Sequence, residues 1–228
     1  MATTKSRPSS SRPRGGSRGA PPPIHRTPVI GFAIGVVVVL AVVAVIASRG
    51  TSPKTDAARG LQQTGPVTIS GTPLPQLAGE GADPAVGAPA PQLRGATFAG
   101  RPVSIGNDGR PKLVLFVAHW CPHCQREVPL LASWLRSNGK PSGVDLYAVA
   151  TGTTPDRPNY PPSAWLQREG WTVTTMADDD NQTAADAFGL PAYPFFVAVD
   201  GSGKVVARAS GELSISSLEK LLDQARQG

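Results

Sequence analysis

Cysteine is scarce in this chain. Only Cys121 and Cys124 occur in 228 residues. So small a number excludes a disulfide-stapled scaffold and a four-thiolate zinc site, which needs a second ligand pair. Histidine is almost as sparse, with His25, His119 and His123 alone. None lies beyond the cysteine pair, so a copper carrier using two thiols and a distant downstream imidazole lacks its third ligand, and no metal site is expected. Thr-x-x-Cys, the local setting of a peroxidatic thiol, does not occur, and neither does a twin-arginine pair or a lipid-acceptor cysteine near the N-terminal apolar run. The first 28 residues have no acid at all, yet carry Lys5, Arg7, Arg12, Arg14, Arg18 and Arg26. The rest of the chain has as many acids as bases, so the net charge of +6 belongs to this tail.

A basic tail rich in Ser, Pro and Gly buries too little apolar surface to fold, and residues 1–28 read as a disordered cytoplasmic segment. The apolar run directly behind the tail argues against nucleic-acid binding. Residues 29–47, VIGFAIGVVVVLAVVAVIA, contain no charge. As a helix they span about 28 Å, close to the thickness of a bilayer's hydrocarbon core. The positive charges in front of them predict a single-pass signal-anchor in the cell membrane, N-terminus inside, with everything after it extracytoplasmic. Cleavage after Ala47 is the competing expectation. Both outcomes put the cysteines where disulfides persist. Residues 48–86, rich in Gly, Pro, Ala, Thr and Gln, read as a flexible linker in which TGPVTISGTPLP holds at most a short strand.

A folded domain is expected over residues 87–228. Phe98, Val103 and Ile105 bracket a turn at Ala99–Pro102, suggesting a small hairpin. Leu113–Ala118 is continuously apolar, the mark of a strand covered on both faces. From Cys121 to Ser137, Val128, Leu131, Trp134 and Leu135 recur at helical spacing, with Pro129 interrupting and Asn138-Gly139 terminating. Val144–Ala150 and Trp171–Met176 read as strands, separated by a Thr/Pro-rich loop and a short helix over Ser163–Glu169. Asp178-Asp179-Asp180 precedes a helix at Gln182–Phe188, where an acid suits the N-cap better than a calcium site. Phe195–Val199 and Lys204–Ala209 flank Asp200-Gly201-Ser202-Gly203, a hairpin signal. The last helix has Ser216 and Glu219 as a capping box and Ile215, Leu218, Leu222 and Ala225 on one face. This order implies an α/β domain with a mixed central sheet and helices on both faces.

The cysteines sit in Trp120-Cys121-Pro122-His123-Cys124, where the central strand gives way to the helix. Unpaired N–H groups and the helix dipole at such a start favour a thiolate. Cys121, expected in the first helical turn, is therefore the candidate nucleophile. Cys124, one turn deeper, is the candidate resolving thiol. Pro122 suits a first turn because it has no N–H to lose. His123, if protonated, would stabilise the Cys121 thiolate and make the disulfide more oxidising. His119 is a loop residue beside the site.

Residues 87–228, with WCPHC, Pro129 five positions after Cys124, and Tyr193-Pro194 before a strand, resemble the thioredoxin fold. More narrowly they resemble the membrane-anchored, extracytoplasmic thiol–disulfide oxidoreductases of the TlpA and ResA type. The resemblance implies a Cys121–Cys124 redox disulfide with no other cofactor, tuning by Trp120, Pro122 and His123, and a cis Tyr193-Pro194 bond facing the dithiol, where substrate backbone pairs. Pro-His between the cysteines is the dipeptide of the oxidising DsbA proteins. Leu115 stands where many reductase-type members carry a buried acid, so proton transfer from the second thiol needs another group. The implied activity is disulfide exchange with exported proteins, leaning to oxidation, with a membrane redox partner; the alternative is a reductase serving cytochrome c maturation. Substrate choice is expected to lie in the loop from Thr151 to Pro162 and the surface around Trp120.

Overall fold

The structure, a computed structural model, describes residues 60–79 and 81–228. The basic tail, the expected anchor at 29–47 and the first part of the linker lie outside the described residues. Among the described residues, no helix is long and apolar enough to cross a membrane.

Among the described residues, eight strands form one sheet. They are β1 (Thr68–Ser70), β2 (Gln92–Ala96), β3 (Pro102–Ile105), β4 (Lys112–Val117), β5 (Asp145–Ala150), β6 (Thr174–Ala177), β7 (Phe195–Val199) and β8 (Val205–Ser210). The helices are α1 (Pro122–Asn138), α2 (Pro162–Arg168), α3 (Thr183–Ala187) and α4 (Ile215–Gln227). The strand order is β1-β2-β6-β5-β4-β7-β8, with β3 on the other edge of β2. β4 is central, parallel to β5 and antiparallel to β7. All six of its residues are buried, which is why Leu113–Val117 reads as an unbroken apolar run.

Alternation along β4 divides the core in two. Leu113, Leu115 and Val117 face α1, α2 and α4, packing with Cys124, Val128, Leu131, Trp165 and Leu222. Val114 and Phe116 face the other way, onto α3, Phe188 and Phe195. The expected mixed sheet with helices on both faces is therefore observed.

Local chemistry sets the ends of the elements. Gly139, with φ of 75°, closes α1 by donating its N–H to Leu135 O. Pro129 lies inside α1, which runs on to Asn138 although the proline ring withholds one backbone donor. Asp200 Oδ1 accepts from Ser202 N, Ser202 Oγ and Lys204 N, fixing the β7–β8 turn. The Asp178 and Asp179 carboxylates do cap α3: Asp178 accepts from Ala184 N and Ala185 N, and Asp179 from Thr183 N.

Three expectations need adjustment. The strand expected at Trp171–Met176 begins only at Thr174, because Trp171 bonds back to Leu166 O as the chain leaves α2. α4 is capped by Ser214 rather than Ser216, through Ser217 N to Ser214 Oγ at 3.1 Å. Residues 60–86, taken as the end of the linker, pack on the domain instead. β1 pairs with β2, Leu74 and Ala85 are buried, and Asp83 forms an ion pair with the fully buried Arg208 side chain. A Pro- and Gly-rich composition hides this, and the ion-pair partner Arg208 lies 125 residues away from Asp83 in sequence.

Candidate functional site: a dithiol at the start of helix α1

Ala118–Trp120 carry the chain from the C-terminal end of the central strand β4 into α1. Cys121 is the N-cap residue rather than part of the first turn. Its backbone is extended (φ −73°, ψ 121°), and its carbonyl accepts from Gln125 N at 3.0 Å. Pro122 opens the helix proper, and no acid occupies the first turn to oppose a thiolate. Both cysteines are free thiols; Cys121 is 6% exposed and Cys124 is sealed at 0%. The outer sulfur is thus the only one of the two that an incoming sulfur can reach. Burial pushes the Cys124 thiol well above its ordinary range, and the neighbouring Cys121 and Glu127 charges push the same way.

Tyr193-Pro194 is cis, and the Tyr193 carbonyl oxygen lies 3.7 Å from Cys121 Sγ. The Tyr193 ring is held by its hydroxyl, which donates to Gln182 Oε1 at 2.6 Å. Burial raises its pKa to about 12, so it stays a neutral donor. Trp120 meets Tyr193 edge-on, with ring centroids 5.8 Å apart, and donates its indole N–H to Gly152 O at 2.8 Å. Cys121, Cys124, Trp120, Pro122, Tyr193 and Pro194 therefore converge.

His123 is oriented outward. Its Nδ1 lies 2.6 Å from Glu212 Oε1, the ring is 58% exposed, and Arg126 clamps the same carboxylate. The Arg126 and His123 hydrogen bonds hold the Glu212 carboxyl down at about 2. Arg126 is itself stabilised as a cation, chiefly by Glu212 and to a lesser degree by Cys121 charge. A carboxylate and a guanidinium thus share the rim with the imidazole, which the sequence pattern around the cysteines does not reveal.

Glu127 is a further residue that sequence reasoning missed. It lies one turn beyond Cys124 on the same helix face and is 1% exposed. One oxygen accepts from Leu213 N at 3.1 Å, while Oε1 is buried without a partner. Burial lifts its pKa to about 6. Leu115, where an acid is absent, is buried among the apolar residues beneath α1. A buried carboxyl is thus present on the helix side of Cys124, whereas the strand side offers only Leu115. An acid within the apolar stripe of Cys124, Val128 and Leu131 was the available signal.

A strand leading into a helix whose N-cap thiol faces the carbonyl preceding a cis proline, with a second thiol sealed one turn below, defines a thiol–disulfide oxidoreductase of the thioredoxin fold. The chain belongs to the Redoxin family, whose model matches residues 85–222. It is 30% identical over 149 residues to the methylamine utilization protein MauD of Paracoccus denitrificans, covering 64% of this chain and 68% of that protein. It is 31% identical over 122 residues to the thiol:disulfide interchange protein HelX of Rhodobacter capsulatus, covering 53% and 64%. The fold matches that of a thioredoxin-family thiol:disulfide interchange protein from Chlorobium tepidum, with a TM-score of 0.50 at 24% identity over 64% of this chain and 99% of that one.

Proposed function

We propose that this chain is a membrane-tethered, extracytoplasmic enzyme that exchanges disulfides with exported proteins through Cys121 and Cys124, and that it acts mainly as an oxidant. The contrast between the two sulfurs carries this reading: one reaches the surface beside the Tyr193 carbonyl, the other is sealed. In the oxidative direction a substrate thiolate attacks Cys121 of the Cys121–Cys124 disulfide. That bond breaks, a mixed disulfide forms on Cys121, and Cys124 leaves and takes up a proton. A second substrate thiolate then attacks the mixed disulfide at the substrate sulfur. The substrate leaves oxidised by two electrons, the enzyme leaves as a dithiol, and a membrane redox partner must reoxidise it. The absence of an acid in the first turn of α1 supports this direction. No cofactor beyond the disulfide enters the cycle. The tether is the apolar segment at residues 29–47, preceded by six positive charges.

Glu127 favours a second reading, a reductase. In that direction Cys124 must lose its proton to attack a mixed disulfide, and a buried carboxylate with a pKa of about 6 suits it as acceptor. The cytochrome c maturation pathway is the reductive role in view. The reduction potential of the dithiol separates the two readings. A value near about −120 mV fits the oxidant, and one near about −270 mV selects the reductant. Exchange itself is tested by trapping: Cys124→Ala is expected to accumulate mixed disulfides on Cys121, and mass spectrometry of the captured proteins names the clients. A Cys124→Ala chain that captures nothing would overturn the assignment of roles.

A further inference from the structure

One wall of the site is a loop, residues 151–161, and it is fastened to the residue just before Trp120. His119 is 1% exposed, and both its ring nitrogens and its carbonyl are engaged. Thr154 N donates to its Nε2 at 3.3 Å, so the ring proton sits on Nδ1, which donates to Pro158 O at 2.7 Å. The His119 carbonyl accepts from Asn159 Nδ2 at 3.4 Å and from Gln125 Nε2 of α1 at 3.1 Å. The Tyr160 ring meets the imidazole with centroids 5.9 Å apart. His119 is therefore a positioning residue: it fixes the loop's height against the dithiol.

What the loop holds there is Arg157. Its guanidinium carbon lies 5.3 Å from the centroid of the Trp120 ring, beside the nucleophile. Stacking on an indole occupies the flat face of a guanidinium and leaves its edge N–H groups free. Among the described residues no carboxylate forms an ion pair with Arg157, whereas Arg126 across the site is taken by Glu212. The other charges on this wall are Asp156, next in sequence, and Arg168, which donates to Asn159 Oδ1 at 2.8 Å.

We propose that Arg157, seated on Trp120 by the His119-fastened loop, is a specificity residue that selects substrate proteins with a carboxylate side chain flanking the reacting cysteine. The inference rests on the reading that Cys121 exchanges disulfides with protein thiols. A chain lying against the Tyr193 carbonyl with its sulfur at Cys121 passes Trp120, so its neighbouring side chain meets the free edge of the guanidinium. An exposed ion pair of this kind is salt-screened and modest.

The test uses the full chain in a non-ionic detergent, oxidised at the Cys121–Cys124 pair. Three dithiol peptides differ only in carrying Glu, Gln or Lys beside each cysteine. At low ionic strength the Glu peptide is expected to be oxidised about fivefold faster than the Lys peptide, the ratio falling toward one in molar salt. Arg157→Gln is expected to bring the ratio close to one and Arg157→Glu to invert it. An unchanged ratio in Arg157→Glu, or no preference in the native chain, overturns the proposal while leaving exchange itself intact. Failure to react with any of the three peptides, whether supplied as dithiols or as disulfides, instead overturns the exchange reading, and the proposal falls with it.

Discussion

Glu127 shows how much a single buried carboxyl can govern. Its pKa stands at about 6 because burial penalises the charged form, above an ordinary 4.5. Between those values the folded protein holds a proton that the unfolded chain has released. Stability is therefore expected to decline as pH rises from 4.5 through 6 and to level off above, by about 2 kcal/mol. Glu127→Gln removes that dependence, and denaturant melts at a series of pH values read it directly. The same substitution bears on chemistry. If Glu127 takes the Cys124 proton, resolution of a mixed disulfide on Cys121 slows by about 10²-fold in Glu127→Gln and loses its rise near pH 6. Single-turnover release of a trapped substrate measures that step. A variant that shows the flattened stability profile but native release kinetics would leave Glu127 a structural residue only.

At the scale of elements, β4 is the axis. One face of the strand supports the dithiol helix and the other is a separate apolar cluster, so the two faces are separable by mutation. Phe116 is fully buried on the far face, with ring centroids 5.3 Å from Phe188 and 6.0 Å from Phe195. Phe116→Ala is expected to cost about 3–5 kcal/mol through lost burial and the cavity left behind. Because Phe116 points away from α1, the reduction potential of Cys121 and Cys124 is expected to hold steady in the fraction that remains folded. A chemical-denaturation midpoint and a redox titration of the same variant check both halves. A large change of potential would mean that the sheet transmits strain between its faces.

Across the whole described molecule, residues 60–86 form a strap tied down at Arg208. That guanidinium is fully buried and reaches Asp83 Oδ2 at 2.8 Å, Pro75 O at 2.8 Å and Phe188 O at 2.9 Å. Its hydrogen bond holds the Asp83 carboxyl below the ordinary 3.8. Depression of a folded-state acid gives stability that is present above the unfolded value and lost as pH falls through the folded one. The strap is thus expected to loosen only in strong acid. Asp83→Ala leaves the guanidinium buried without its counter-charge and is expected to cost about 3–5 kcal/mol. Faster amide exchange and proteolysis within residues 73–86, with the β4–β5 core still protected, would show the strap releasing as a unit. Unchanged protection there would mean that the strand pairing of β1, not the ion pair, holds the segment.

By itself the sequence determined what depends on near neighbours. Spacing placed Cys121 and Cys124 one turn apart at a strand-to-helix junction, unbroken apolar residues marked β4 as central, and Asp200-Gly201-Ser202-Gly203 marked the hairpin. These features are legible because backbone geometry, side-chain periodicity and turn hydrogen bonds act over a few residues. Only the tertiary structure decided which distant groups meet, around the dithiol and under the strap. Glu212 meets His123 from 89 residues away, Leu213 meets Glu127 from 86, and Asp83 meets Arg208 from 125. Local propensity carries no record of such pairings, because they form only when the sheet closes and brings distant segments together. The two sulfurs were written in the order of residues, and the charges around them were fixed by the packing.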